Sequence, residues 1–321
     1  MNKLIGTLFT AFVVAAVVYA FSPRPDPQMP ATQVEIGHLL MLDVQSGGGR
    51  MVSVGERGHI FVSDNQGANW RQVSSPTTAT LTALSFIDDA RAVAVGHDAV
   101  IVRTEDGGET WSLIQTAPED EEPLLAVRFD ARGHGFAVGA YGRFLESRDG
   151  GLSWDEREIS AADLHLNALA EIDGAMLIAG EAGTLMRSDD GGATWDVMDA
   201  PYEGSFFGLL AMPDGGLLAF GMRGHVFRSD DGGQRWEELD TGTHSSIFGG
   251  RVVSPGLIML VGQSGLVLAS SDQGRSFIAI DADTSRSFAA VAAGSGPGEV
   301  LLVGEEGVLR VDVAQPRRGR S

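Results

Sequence analysis

The chain has 321 residues, with 23 Lys and Arg against 43 Asp and Glu, a net charge of −20 and no cysteine. The absence of cysteine excludes disulfide frameworks, thiolate metal centres and cysteine nucleophiles. The acidic balance argues against sequence-independent nucleic-acid binding, because neutralising phosphates requires a basic surface. The 43 glycines and the low aromatic content of 7% favour many tight turns, and therefore repeated β-structure.

The first 21 residues are typical of a segment that directs export. Lys3 precedes an uncharged, mostly apolar run from Leu4 to Phe21, and Ala20 offers a small residue for cleavage. The run is close to the length that spans a bilayer, so an uncleaved N-terminal anchor is the alternative. Residues 22–31 contain four prolines and are predicted to be a linker, because proline disfavours both helices and inner strands.

A repeat of about 41 residues organises the chain from residue 32 to residue 313. Six segments follow the pattern Ser/Thr-x-Asp/Asn-x-Gly-x-x-Trp/Phe, and their final aromatic residues are Trp70, Trp111, Trp154, Trp195, Trp236 and Phe277. A glycine that ends a short apolar run lies eight residues before each segment. A seventh such glycine, Gly304, has no segment after it, so the sequence contains seven units.

Each unit is predicted to contain four short strands. In the fourth unit these strands are residues 166–172, 175–180, 184–188 and 195–198. The G-x-x-G sequence at 180–183 is predicted to turn the second strand into the third, with its glycines supplying positive φ angles. Seven four-stranded antiparallel units of this length predict an all-β fold, a seven-bladed β-propeller.

The two ends of the repeat region are predicted to complete one blade. The seventh unit has three predicted strands, at 287–293, 299–304 and 307–313, and lacks the fourth. Residues 32–36 precede the first unit and are predicted to supply this strand, which would close the ring and remove an open edge. Residues 314–321 are basic and are predicted to be a disordered tail.

The acidic segment in each unit has two interpretations. Its Asp side chain can accept hydrogen bonds from the backbone two residues further on, which makes it a structural turn. A calcium loop is the alternative, but it would need a ladder of oxygen ligands that ends in a bidentate Glu, and no segment supplies the whole set. The sequence therefore predicts structural turns, with no metal site and no cofactor.

The full unit resembles a known family. The pattern V-G-x-x-G-x-[IVL]-x-x-[ST]-x-D-G-G-x-T-W, in seven units of which the last lacks the Asp segment, lies behind an export segment and is similar to the photosystem II stability/assembly factor family of Asp-box, or bacterial neuraminidase repeat, propellers. The resemblance implies a non-catalytic scaffold of the periplasm or thylakoid lumen that holds a membrane protein through an arginine-bearing face. Similar proteins of non-photosynthetic bacteria imply a role with an envelope complex or a transporter. We expect a monomer that does not bind nucleic acid.

The G-x-x-G turns are predicted to lie on the face opposite the Asp boxes. Their tips differ between units while the rest of the unit repeats, as expected of a binding face on a rigid frame. The predicted partner-binding residues are Arg57, His59, His97, Tyr141, Arg143, Arg223 and His225. Scattered surface charge is the alternative interpretation of these cationic residues.

A glycan-acting enzyme of the sialidase or glycoside hydrolase type is the alternative function. A sialidase needs three arginines around the substrate carboxylate and a Tyr nucleophile backed by Glu. The Arg-Ile-Pro segment of that family is absent, and only Tyr141 and Tyr202 follow the export segment. A glycoside hydrolase needs two carboxylates facing each other across a cleft. No H-E-x-x-H or G-x-S-x-G motif is present, so the sequence predicts no catalytic residues.

Overall fold

The computed structural model describes residues 34–313 except 120, 131 and 161, and nine residues between Ile5 and Val17. The chain forms two units, residues 1–34 and residues 35–321. The described residues between Ile5 and Val17 are helical, and no helix of the described residues is long and apolar enough to cross a bilayer. The predicted linker at 22–31 and tail at 314–321 lie outside the described residues.

The second unit consists of seven antiparallel sheets, each formed by consecutive strands. Blade 1 contains β1 (Met41–Gly47), β2 (Arg50–Gly55), β3 (Ile60–Ser63) and β4 (Arg71–Val73). Blade 2 contains β5 (Leu81–Phe86), β6 (Ala92–Gly96), β7 (Ile101–Thr104) and β8 (Ser112–Gln115). Blade 3 contains β9 (Leu124–Phe129), β10 (Gly135–Gly139), β11 (Phe144–Ser147) and β12 (Asp155–Glu156). Blade 4 contains β13 (Leu166–Ile172), β14 (Ala175–Gly180), β15 (Leu185–Ser188) and β16 (Asp196–Val197).

The remaining three blades follow the same order. Blade 5 contains β17 (Phe206–Ala211), β18 (Leu217–Gly221), β19 (Val226–Ser229) and β20 (Glu237–Leu239). Blade 6 contains β21 (Ile247–Ser254), β22 (Leu257–Gly262), β23 (Val267–Ser270) and β24 (Ile278–Ala279). Blade 7 contains β25 (Phe288–Ala293), β26 (Glu299–Gly304) and β27 (Gly307–Asp312). Short 3₁₀ turns cover Ile36–His38, Glu56–Gly58, His97–Ala99, Ala140–Gly142, Glu181–Gly183, Met222–Gly224 and Gln263–Gly265.

The sheets form a closed ring. The first strand of each blade contacts the first strand of the next, and β25 of blade 7 contacts β1 of blade 1. The first strands therefore surround a central channel, while the second strands are buried within the blades. This arrangement confirms the predicted seven-bladed β-propeller, and β13 to β16 lie where the sequence placed the four strands of the fourth unit.

The predicted closing strand at 32–36 is not seen among the described residues. Val34 and Glu35 are not in a strand, Ile36–His38 form a 3₁₀ turn, and residues 32 and 33 lie outside the described part of the chain. In the described part of the chain the sheet of blade 7 has three strands, and β27 is partly exposed where the third strands of blades 1, 2, 3, 5 and 6 are buried. Residues 36–38 form the turn into β1, where the Leu39 carbonyl accepts the Gly307 N–H at 2.9 Å.

Each Asp box is tied to the preceding blade by an arginine. A guanidinium group donates to a backbone carbonyl of the box in the next blade, and the donor and acceptor pairs are Arg50 and Gly107, Arg103 and Gly150, Arg157 and Gly192, Arg187 and Gly232, Arg228 and Gln273, and Arg310 and Gln66. The box aromatic packs into the same interface, as Trp195 of blade 4 does edge-on against Phe144 of blade 3 at 5.6 Å. The boxes therefore join neighbouring blades, and the Arg310 contact joins blade 7 to blade 1.

The side chains of each box also bond to one another. In blade 4, Asp190 Oδ1 accepts the Ser188 hydroxyl at 2.8 Å and the Thr194 N–H at 2.9 Å, while Asp190 Oδ2 accepts the Thr194 hydroxyl at 2.6 Å. These hydrogen bonds lower the pKa of Asp190 to about 2. Asn65 takes the same place in blade 1 without a charge. The box carboxylate therefore acts as the acceptor that holds the turn.

We expect the Asp190→Asn variant to lose stability in a pH-dependent way. Because the folded pKa of Asp190 is about 2, below the ordinary value of 3.8, its contribution is present above about pH 4 and is lost as the pH falls through 2. The melting temperature of the variant should lie below that of the wild type at neutral pH, and the two should converge near pH 2. Thermal melts followed by tryptophan fluorescence over this pH range measure the difference. A gap that stays constant with pH would contradict the assignment.

Candidate functional site

The G-x-x-G turns and the Asp boxes lie on opposite faces of the ring. Each G-x-x-G turn contacts the loop that enters the next blade, as Gly183 does by donating its N–H to the Gly204 carbonyl at 2.9 Å. The boxes contact the turns between first and second strands, as Gly107 does by donating to the Ala90 carbonyl at 2.7 Å. We call the two surfaces the G-x-x-G face and the Asp-box face.

The first glycine of each G-x-x-G turn, including the blade 2 turn in which Ala99 replaces the second glycine, is required for close approach and not for a positive φ. Gly96 has an extended backbone with φ −176°, and a Cβ there would lie 2.0 Å from the Thr80 carbonyl oxygen. That oxygen accepts the His97 N–H at 2.9 Å, which fixes the loop from the preceding strand. The prediction that the glycines of the turn supply positive φ angles is confirmed for the second glycine, such as Gly58 at φ +69°.

The tip residue of the turn takes the left-handed conformation without being glycine. Arg57 has φ 52° and Arg223 has φ 58°, and this conformation costs a residue with a Cβ about 1–2 kcal/mol. The same angle recurs at Asp98, Ala182 and Ser264, so it belongs to the turn rather than to one function. Its effect is to hold the tip side chain at the surface of the G-x-x-G face.

Four of the predicted partner-binding residues are exposed on this face. Arg57, His97, Tyr141 and Arg223 are exposed, with Tyr141 at 59%. Tyr141 lies edge-on to the His165 ring at 5.0 Å, and its N–H donates to His165 Nδ1 at 3.1 Å. These four side chains are accessible to a partner.

The other three predicted residues are engaged within their own blades. The Arg143 side chain is only 8% exposed and forms ion pairs with Glu122 at 3.2 Å and Glu156 at 3.5 Å. His225 Nδ1 lies 2.5 Å from a Glu238 oxygen, and His59 Nδ1 lies 2.9 Å from Gln72 Nε2. Each residue directly precedes a third strand and contacts a residue of the fourth strand, so it also supports the blade edge.

The predicted residues are distributed over blades 1, 2, 3 and 5. Arg223 and His225 line one surface depression of about 370 Å³, together with Thr243, His244 and Asp240. Tyr202 was one of the two tyrosines available as a sialidase-type nucleophile. Its ring packs 4.3 Å from the His225 ring and contacts Phe227. Its position is therefore that of a supporting aromatic residue beside the depression.

A row of residues at the channel mouth is not among the predicted partner-binding residues. Every first strand has a β-bulge opposite the first glycine of its G-x-x-G turn. The bulged residues are Leu42, Thr82, Leu125, Asn167, Phe207, Phe248 and Ala289. The Phe207 and Phe248 rings lie 5.8 Å apart, and Phe248 is 38% exposed. The sequence feature that could have indicated these positions is a second apolar residue directly after a buried one, as in Phe206-Phe207.

The fold and its variable turn face define an Asp-box β-propeller. Residues 116–201 match the family described as photosynthesis system II assembly factor YCF48. The match confirms the resemblance over these residues, which are about a quarter of the chain.

Two curated relatives carry that description. The photosystem II assembly lipoprotein Ycf48 of Synechococcus sp. (strain CC9902) is 31% identical over 86 residues, 26% of each chain. The photosystem II assembly protein Ycf48 of Thermosynechococcus vestitus is 45% identical over 42 residues, 13% of this chain and 12% of that protein. The alignments therefore span about a quarter or less of the relatives' length.

Solved structures share the fold more widely. The structure titled "YCF48 bound to D1 peptide" has a TM-score of 0.69 at 19% identity and covers 89% of this chain and 98% of that chain. YCF48 from Cyanidioschyzon merolae has a TM-score of 0.68 at 14% identity, covering 88% and 96%. The GH74 xyloglucanase from Xanthomonas campestris has a TM-score of 0.70 at 13% identity, covering 90% and 54%. An assembly factor and a hydrolase thus share this fold, so function has to be argued from the surface.

Proposed function

We propose that this protein is an exported, non-catalytic scaffold that binds a membrane protein and assists assembly or operation of an envelope or photosynthetic membrane complex. The G-x-x-G face is the binding surface, and its exposed residues Arg57, His97, Tyr141 and Arg223 are the first contacts. His59, Arg143 and His225 support the same turns. The similarity to a propeller solved with a D1 peptide supports a peptide segment of a membrane protein as the ligand.

The observation that carries the proposal is the free positive charge of Arg57 and Arg223. Most of the described arginines lie within 4.0 Å of a carboxylate, as expected in a chain of net charge −20. Among the described residues, neither Arg57 nor Arg223 has an ion-pair partner within that distance. Both are held at the tip of a G-x-x-G turn, where a partner's carboxylates would meet them.

The apolar N-terminal segment supplies the route to the membrane in this proposal. The Synechococcus relative is described as a lipoprotein, and this chain has no cysteine to carry an N-terminal lipid. Residues 4–21 would therefore direct export to the periplasm or thylakoid lumen or hold the protein at the membrane.

The G-x-x-G face would bind its partner through shape and charge and would have no catalytic role. The Tyr202 ring packs against His225 and Phe227, and Tyr141 packs against His165. Neither arrangement provides the tyrosine and glutamate pair that a sialidase-type nucleophile needs. The glycan-acting alternative therefore has no observation in its favour beyond the shared fold.

A charge-reversal experiment tests the proposal. The full chain, tagged and expressed in its source cells, is used to capture partners from solubilised membranes, which are then identified by mass spectrometry. We expect the Arg57→Glu/Arg223→Glu variant to lose a defined membrane protein by roughly tenfold or more, because two attractive contacts become repulsive.

The matched control is Arg132→Glu/Arg235→Glu. These two arginines are also exposed and without an ion pair among the described residues, but they lie on the Asp-box face. Equal losses in both variants, or hydrolysis of a glycan conjugate that the Tyr202→Phe variant abolishes, would refute the proposal.

A further inference from the structure

We infer that the channel mouth beside blades 5 and 6 is an anchor site for one large apolar side chain of a bound peptide, with Arg223 receiving a carboxylate next to it. The inference rests on the proposed function, because it specifies the chemistry of the segment that the G-x-x-G face would hold. Its residues are Phe207, Met222, Arg223 and Phe248, which we call the anchor site.

The apolar part comes from two β-bulges. Phe206 and Ile247 are 1% and 0% exposed and fill the interiors of the blades. The residue that follows each of them is left unpaired by the bulge and leaves that interior. Phe207 and Phe248 thereby meet each other at 5.8 Å with their planes tilted by 51°, outside both blade cores.

The exposed apolar surface at this place exceeds what the fold needs. Phe248 is 38% exposed and Met222 is 37% exposed, and the turn Met222–Gly224 contacts β21, the strand that carries Phe248. Other exposed apolar residues of the propeller, such as Val197 and Ile278, lie on the outer fourth strands. A tilted aromatic pair with an open edge can accept a further aromatic or aliphatic side chain.

The charge beside the anchor site is positive. The Arg223 N–H donates to Ser246 Oγ at 3.3 Å, two residues before Phe248 along the chain. The turns Met222–Gly224 and Gln263–Gly265 contain no acid, in contrast to those that carry Glu56, Asp98 or Glu181.

Arg223 also lines the surface depression of about 370 Å³ beside the anchor site. Glu238 and Asp240 line the same depression, and Glu238 already bonds to His225. Among the described residues, neither acid is within ion-pair distance of Arg223, so its charge is available to a carboxylate of the ligand.

These features specify the occupant as an extended segment of a partner protein. It carries a Phe or Leu that packs on Phe207 and Phe248, and an Asp or Glu within two residues of it. Two residues of extended chain span about 6.6 Å, which suits a cation that lies beside the aromatic pair. The acidic surface of the rest of the propeller disfavours a segment with several acids, so a single carboxylate is expected.

The test uses the full chain and a fluorescein-labelled peptide of sequence Gly-Ser-Leu-Phe-Gly-Glu-Ser-Gly, with binding measured by fluorescence anisotropy. Two comparison peptides replace Leu-Phe by Ser-Ser and Glu by Gln. We expect the Phe248→Ala variant to bind the first peptide at least about tenfold more weakly. We expect Arg223→Gln to weaken the first peptide about fivefold and to leave the Gln peptide unchanged.

The controls are Ile278→Ala and Arg235→Gln, which remove an exposed apolar residue and a free arginine elsewhere. Met222→Ser tests the same site without touching the aromatic pair, should Phe248→Ala unfold the protein. The inference is overturned if the wild type binds no peptide at about 1 mM, or if the control variants lose as much affinity. If the peptide measurements overturn the inference while membrane capture still depends on Arg57 and Arg223, the anchor site is wrong and the proposed function stands.

Discussion

Replacing Gly96 by alanine is expected to lower the free energy of unfolding by about 3 kcal/mol, because the new Cβ would overlap backbone atoms. The Cβ would lie 2.0 Å from the Thr80 carbonyl oxygen and 2.8 Å from the Leu81 Cα. Neither atom belongs to a flexible side chain, so the first strand of blade 2 would have to move. The melting temperature should fall by roughly 6–10 °C, measured by tryptophan fluorescence.

Gly256→Ala is the control for this variant. No atom lies within 4 Å of a Cβ at Gly256, and its φ is not in the positive range. We expect a change of no more than about 0.5 kcal/mol, because alanine also reduces the freedom of the unfolded chain. Similar melting temperatures for the two variants would show that the close approach at Gly96 can relax.

Replacing Arg228 by methionine is expected to cost about 2–3 kcal/mol. The Arg228 side chain is 4% exposed, and it donates to the Gln273 carbonyl in the next blade and to Asp214 and Asp230. Methionine keeps most of the volume and removes all three hydrogen bonds. Because Asp230 is more than half exposed and Arg275 also pairs with both acids, we assign most of the cost to the buried guanidinium.

The control is Arg235→Met, seven residues further on. Arg235 is exposed, and its backbone N–H, not its guanidinium, bonds to the box. Its replacement should change stability by no more than about 0.5 kcal/mol. The loss at Arg228 should persist at about 1 M salt, because a buried pair is screened less than a surface pair. Disappearance of the loss at high salt would contradict a role in joining blades 5 and 6.

The Gly96→Ala and Arg228→Met variants change the frame of the propeller, meaning the contacts between its strands and blades, and leave the binding face unchanged. Gly96 and Arg228 act within the contacts between strands and blades, whereas Arg57, Arg223 and Phe248 are exposed on the G-x-x-G face. Variants of the frame should therefore lower stability, and variants of the face should lower binding with little change in melting temperature.

The sequence by itself determined the repeat and its local structure. The spacing of the six box aromatics, together with Gly304 of the last unit, predicted seven units, and the predicted strands of the fourth unit coincide with β13 to β16 within two residues at each end. Both properties depend on interactions within about forty residues of chain, namely strand pairing inside one blade and hydrogen bonds inside one box. The turn role of Asp190 follows from the same local bonds.

Only the tertiary structure decided which residues meet across blades. Phe207 and Phe248 are in different blades, and Arg310 and Gln66 are 244 residues apart, so no local pattern joins them. Arg143 looked like a free cation in the sequence, but Glu122 from a loop and Glu156 from β12 neutralise it. Closing the ring sets these distances, because it places each first strand and each box against the neighbouring blade.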